Sequence, residues 1–177
     1  MEQQVLDKIF VPYLSKVDIN TAIEKMAASI NADYEGKDPL FIAILNGSFM
    51  FASDLFKKID IPAEISFIKL ASYKGTKSSG SVVTAIGLEA DVFERDVIII
   101  EDIVDTGKTL SGFLPQLMHQ QPRSLKICAL LHKKEATTFP IHIDYMGFEI
   151  PNLFVVGYGL DYNGYGRNID QIMQIAE

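Results

Sequence analysis

The sequence holds one cysteine and no tryptophan in 177 residues. No intramolecular disulfide can form, which excludes a bridge-stapled secreted scaffold. Cys128, between apolar neighbours and with no adjacent cation, reads as a buried thiol rather than a nucleophile. Histidine is scarce as well: His119, His132 and His142 share neither helical spacing nor a nearby cysteine cluster, which argues against zinc. Positive charge is in the minority, with 16 Lys+Arg against 23 Asp+Glu and a formal net charge of -7. A general nucleic-acid coat needs the opposite balance. An anionic ligand is still admissible, because a metal ion or backbone N–H groups can hold one inside an acidic protein. Long hydrophobic runs are absent: none approaches the roughly 18 residues of a membrane span. The start, Met1-Glu2-Gln3-Gln4-Val5-Leu6-Asp7-Lys8, lacks the basic-then-apolar pattern of a signal peptide. These absences predict a cytoplasmic globular protein of one domain, large enough to bury about 70% of its unfolded surface.

What is present alternates between helical and strand patterns, without repeats or linkers. Ile19, Ala22, Ile23, Met26, Ala27 and Ile30 recur at helical spacing, predicting a helix with Asp18 as its N-cap, stopped by Gly36-Lys37-Asp38-Pro39. Leu40-Phe41-Ile42-Ala43-Ile44-Leu45 has the all-apolar pattern of a parallel strand buried on both faces. Asn46-Gly47-Ser48 then turns the chain into an amphipathic segment ending near Lys58. Ala63 to Ala71 reads as a strand, followed by a polar, glycine-containing loop over 72–81 and a returning strand from Ser81 to Ile86. Further apolar strands are predicted at Val97–Ile100, ending at Glu101-Asp102, at Leu125–Leu131, and at Phe154–Tyr158. A helix is predicted over Thr106–Gln120, with Pro115 bending it. Such alternation predicts an α/β fold with a mostly parallel central sheet flanked by helices. In such sheets ligands bind beyond the carboxyl ends of the strands, which points to Asn46-Gly47, Glu101–Thr109, Lys133-Lys134 and Leu160–Arg167.

The richest of these segments is Glu101-Asp102-Ile103-Val104-Asp105-Thr106-Gly107-Lys108-Thr109. A buried strand delivers two adjacent acids, then a glycine turn, then a helix start whose free N–H groups and dipole suit a phosphate. Gly107-Lys108-Thr109 imitates the end of a P-loop. That motif needs a further glycine five residues before Gly107, where Asp102 stands instead, so the nucleoside-triphosphatase reading fails. Paired acids beside a phosphate turn suit ribose hydroxyls or a bound Mg²⁺.

This run resembles the phosphoribosyl pyrophosphate signature of type I phosphoribosyltransferases. Gly147-Phe148-Glu149-Ile150-Pro151, Phe154-Val155-Val156-Gly157-Tyr158 and Leu160-Asp161-Tyr162-Asn163 are similar to the C-terminal region of the hypoxanthine-guanine branch. The resemblance covers roughly residues 10–175. It implies that family's fold over 1–177 as a single domain, with a core of about 36–160 and a small hood built from the chain termini, about 1–17 and 140–177. It also implies a Mg²⁺-dependent purine-salvage enzyme that transfers the 5-phosphoribosyl group from phosphoribosyl pyrophosphate to hypoxanthine or guanine, working as a homodimer or homotetramer.

The resemblance carries residue roles with it. Asp105 is implied as general base at purine N7, against the plainer role of capping the following helix. Glu101 and Asp102 are implied at the ribose hydroxyls and metal, and the stretch Asp105, Thr106, Gly107, Lys108 and Thr109 around the 5′-phosphate. Lys133 matches the lysine that donates to the purine 6-oxo group, with Lys134 one position away as the alternative. Phe154 matches the aromatic stacked on the base and Val155 the residue whose backbone meets the base edge. Asp161 matches the acid near the base and second Mg²⁺, and Arg167 the arginine on pyrophosphate. Ser72-Tyr73 matches a lid that keeps water from an oxocarbenium-like centre. One departure stands out: Leu45-Asn46-Gly47 occupies the pyrophosphate loop where many relatives carry Lys or Arg, so Asn46 brings no positive charge and the loop relies on side-chain and Gly47 N–H hydrogen bonds. Two rivals remain at this level: transfer to another base, and a non-catalytic RNA-binding regulator. Lys133 opposes adenine, whose 6-amino group is itself a donor, and the acidic balance opposes RNA.

Overall fold

The computed structural model describes residues 1–73 and 82–176, with 71–73 and 82–86 described in backbone only. The chain opens with strands β1 (Gln3–Val5) and β2 (Lys8–Leu14), helix α1 (Lys16–Asp33), strand β3 (Leu40–Leu45) and helix α2 (Phe49–Phe56). Strands β4 (Glu64–Tyr73), β5 (Val82–Ile86) and β6 (Asp96–Val104) follow, then helix α3 (Lys108–His119). It closes with β7 (Ser124–His132), β8 (Tyr145–Glu149), β9 (Val155–Val156) and β10 (Ile172–Ile175).

The main sheet runs β5-β4-β3-β6-β7-β8. Every neighbouring pair is parallel except β4 with β5, which return on each other as the hairpin pattern required. Leu40, Phe41, Ile42 and Ala43 are essentially inaccessible to solvent, because helices cover both faces. Alternation along each strand sorts the core. Phe41, Ala43, Ile98 and Ile100 face α1 and α2, whereas Leu40, Ile42, Val97 and Ile99 face Leu110, Phe113 and Leu117 of α3. A second, antiparallel sheet, β1-β2-β10-β9, joins the two ends of the chain into a hood. Among the described residues no helix is long and apolar enough to cross a membrane.

Several boundaries differ from the sequence expectation. The N-cap of α1 is Ser15, not Asp18: Asp18 is the N3 partner in a reciprocal capping box with Ser15. Helix α3 begins at Lys108 rather than Thr106, since Gly107 at φ 78° cannot continue a right-handed helix. Strand β6 does not stop at Glu101-Asp102 but carries through them to Val104, because β7 offers ladder partners as far as His132. Phe154–Tyr158 is not a strand of the parallel sheet: only Val155–Val156 is extended, it pairs with β10 in the hood, and positive φ at Gly157 and Tyr158 ends it. The apolar run predicted burial correctly but not its partner. Strands β1, β2, β8 and β10 carried no clear pattern and were not expected.

At the end of the sheet opposite the Asn46-Gly47 and Asp105–Thr109 turns, the Asp33 carboxylate accepts from the Tyr145 hydroxyl at 2.6 Å and from Lys126 Nζ at 3.0 Å. These donors, the hydroxyl foremost, hold the Asp33 carboxyl below the usual carboxylate range. A group held low stabilises the fold above its unfolded pKa and loses that contribution as pH falls through the folded one. Asp33→Asn should therefore lower Tm at neutral pH by about 1–2 °C, a modest effect because the site is half exposed. The deficit should shrink as pH falls below about 4, and melting curves of both proteins at neutral and at acid pH check it. An undiminished deficit at low pH would remove the charge from the account.

Candidate active site

Four strand-end segments meet on one rim of the main sheet. After β3, the Leu45–Asn46 peptide is cis, and the chain turns at Gly47 into α2, with the Ser48 hydroxyl donating to the Ile44 carbonyl at 2.6 Å. A Cβ at Gly47 would overlap the Asp102 carboxylate, and one at Gly159 would overlap the Gly47 carbonyl. The β3 loop is thus packed against the Asp102 carboxylate on one side and the backbone of the loop after β9 on the other. Asn46 sits in that turn, and no hydrogen bond of its side chain is recorded among the described residues.

Glu101 and Asp102 adjoin within β6, and Glu101 Oε2 is a buried oxygen with no hydrogen-bond partner among the described residues. Burial, reinforced by the neighbouring Asp102, pushes the Glu101 carboxyl well above its usual range. Burial likewise raises Asp102, opposed by the Ile103 N–H that it accepts at 2.9 Å and by the charge of Arg167. Two acids that resist ionisation together, one with an empty oxygen, are suited to a cation. Among the described residues no group of three or more His, Cys, Asp or Glu stands ready to hold a metal ion alone.

Residues Ile103–Leu110 with Glu101 line a small cavity of about 90 Å³. Gly107 caps α3, the Thr106 hydroxyl accepts from Lys108 N at 3.3 Å, and the side chains of Asp105, Thr106, Lys108 and Thr109 are exposed. A larger cleft, about 830 Å³, lies between α1, α2 and Tyr158, away from these groups, so volume alone does not locate the chemistry. Lys133 Nζ lies 3.0 Å from Asp105 Oδ2 and is almost fully buried. Lys134 points outward, 3.6 Å from Glu149. The structure therefore brings Lys133, and not its neighbour, to Asp105.

Phe154 is 45% exposed, unlike the buried core aromatic that its apolar setting would suggest. Its ring stands edge-on to Tyr162 at 5.7 Å and 86°, with Phe10 at 6.2 Å. Val155 beside it is buried and paired with Gln174. Asp161 accepts from Gly164 N at 2.6 Å and pairs with Arg167 at 2.7 Å, and Arg167 also donates to the Gly159 carbonyl at 2.7 Å. These contacts stiffen the loop that carries both residues. The loop expected over 72–81 begins later, since β4 runs through Ser72 and Tyr73, their backbones paired with Val83 and Val82; their side chains and residues 74–81 of that loop lie outside the described residues. Sequence reasoning missed Thr137, whose hydroxyl reaches the Asp105 carbonyl at 2.9 Å, and the ring contacts of Phe10 and Tyr162. Nothing local signals them, since each works through residues distant in the chain.

Residues 14–163 match the family model described as the phosphoribosyl transferase domain. A hypoxanthine-guanine phosphoribosyltransferase of Streptococcus agalactiae is 40% identical over 164 residues, covering 92% of this chain and 91% of that protein. The bifunctional protein TilS/HprT of Listeria innocua is 41% identical over 160 residues, and this chain spans only about a quarter of its length. Among solved structures, a hypoxanthine phosphoribosyltransferase from Staphylococcus aureus superposes with a TM-score of 0.88 at 38% identity, covering 94% of this chain and 91% of that one. With its cradle, its acids and its Lys133–Asp105 pair on one rim, the chain belongs to the phosphoribosyltransferase family, in the hypoxanthine-guanine branch.

Proposed function

We propose that the protein transfers the 5-phosphoribosyl group from phosphoribosyl pyrophosphate to N9 of hypoxanthine, and of guanine, giving IMP or GMP and pyrophosphate in purine salvage. The observation that carries this reading is the Lys133–Asp105 pair at 3.0 Å beside the exposed turn of residues 105–109. A donor for a 6-oxo group and an acceptor for a ring proton stand next to a phosphate cradle. In the same reading the whole chain acts as one domain, in the cytoplasm and as a homodimer or homotetramer.

Each residue's task follows from its chemistry. The 5′-phosphate is held by the N–H groups of residues 106–109, with the Thr106 and Thr109 hydroxyls adding donors. Glu101 and Asp102 take the ribose hydroxyls and one Mg²⁺, and Asp161 a second. Bound Mg²⁺ supplies positive charge against the departing pyrophosphate. Gly47 N–H and Arg167 bind pyrophosphate oxygens; Arg167 has five N–H donors, enough to keep Asp161 and still reach an anion. Phe154 presents its free face to the purine, and the Val155 backbone meets the base edge. Lys133 has three protons, so it can keep Asp105 and donate to the 6-oxo oxygen at once. Asp105 withdraws the purine N7 proton as the oxocarbenium-like sugar is captured. Ser72 and Tyr73 belong to the segment that excludes water at that moment.

Asp105→Asn should lower kcat by about 10²-fold or more with substrate binding largely retained, measured by steady-state kinetics with hypoxanthine; full activity would remove the general-base role. A nucleobase panel with phosphoribosyl pyrophosphate and Mg²⁺ should show turnover of 6-oxopurines and none of adenine. Adenine turnover would favour the reading as a transferase for another base. Because Glu101 and Asp102 are held high, they must lose protons to accept a cation. KM for phosphoribosyl pyrophosphate should therefore rise as pH falls from about 8 to about 6. A flat profile over that range would detach these acids from the metal.

A further inference from the structure

The segment after β7 does more than connect. The Thr137 hydroxyl lies 2.9 Å from the Asp105 carbonyl oxygen, 3.0 Å from the Lys133 carbonyl oxygen and 3.1 Å from His132 Nε2. A hydroxyl has one proton to give and two lone pairs. Two carbonyls compete for that proton and neither can donate. The remaining partner, His132 Nε2, is therefore the group that donates into a hydroxyl lone pair, which assigns the ring its Nε2–H form. Both carbonyls belong to residues whose side chains meet at 3.0 Å. The neighbouring backbone ties the same two stretches together: Thr138 N and Phe139 N both donate to the Thr106 carbonyl, at 3.1 and 3.0 Å. Lys133 N in turn donates to the Val104 carbonyl at 2.9 Å.

We propose that Thr137 is a positioning residue: its hydroxyl, oriented by His132, locks the Asp105 and Lys133 backbones into one frame so that carboxylate and ammonium face the same purine edge. The proposal rests on the transferase reading above. Its force is geometric. Catalytic groups misplaced by about 1 Å can lose about 10²-fold in rate, and without this hydroxyl the two carbonyls have no common donor.

Two variants separate positioning from simple stability. Thr137→Val keeps the shape and removes the hydroxyl; Thr137→Ser keeps the hydroxyl and removes the methyl. Steady-state kinetics are measured with hypoxanthine and Mg²⁺-phosphoribosyl pyrophosphate on wild type first, and then on both variants, alongside their melting curves. Thr137→Val should lower kcat about tenfold and raise KM for hypoxanthine several-fold, with KM for phosphoribosyl pyrophosphate within about twofold of wild type. Thr137→Ser should return kcat and hypoxanthine KM to within about twofold of wild type. Wild type that turns over no 6-oxopurine would overturn the transferase reading and this inference with it. An active wild type alongside an unimpaired Thr137→Val, or a Thr137→Ser no better than Thr137→Val, would overturn the inference alone. So would a Thr137→Val defect that lies only in Tm and active fraction, with both KM values unchanged.

Discussion

Everything on the rim is arranged around two carboxyl groups forced to share one buried strand end. Burial raises the cost of ionising both Glu101 and Asp102, and the neighbouring Asp102 charge adds to it at Glu101. A protein keeps such an arrangement only where something of opposite charge arrives to relieve it. Arg167 offsets part of the charge at Asp102, while Glu101 Oε2 has no partner at all among the described residues. The pair is thus short of positive charge, which in the proposed reading Mg²⁺ arriving with phosphoribosyl pyrophosphate would supply. It also explains why an acidic protein can take a highly charged anion without a basic surface.

Rigid placement of Asp102 comes from glycine backbone packed directly against its carboxylate. Gly47 leaves no room for a methyl group against the Asp102 carboxylate of β6, and Gly159, from the loop after β9, leaves none against the Gly47 carbonyl. Close packing of this kind transmits displacement, so a shift in the β3 turn must be felt at the acids and in the loop carrying Asp161 and Arg167. The lack of a basic side chain at Asn46 weighs less in this setting, since the turn contributes by where its backbone lies.

The legible parts of the sequence were those whose signal is local. Leu40–Leu45 and Val97–Ile100 are apolar without interruption, and only a two-sided burial accommodates that. The acids, the turn and the helix start lie within nine consecutive residues, so resemblance could recognise them as a block. The Ser15-to-Asp18 spacing was also readable as a capping box, and taking Asp18 for the cap itself overlooked the serine three residues earlier. What stayed hidden depends on distant partners. Strand β2 holds a proline and mixed polarity and becomes a strand only between β1 and β10. Thr137 is one threonine in a polar stretch until Asp105 and Lys133 are folded against it. Lys133 and Lys134 are equivalent on paper; the three-dimensional path of β7 and the turn after it separates them.

The hood has a consequence for how the molecule comes into being. Phe10 pairs with Ile175 across almost the full span of the polypeptide, and the aromatic platform of Phe154 rests on that sheet through Phe10. Contacts between such remote positions close a long loop, and during synthesis β10 must leave the ribosome before β2 can pair with it. A nascent chain halted shortly before β10 would already hold the Asp105–Thr109 turn while Phe154 still lacked the completed sheet beneath it.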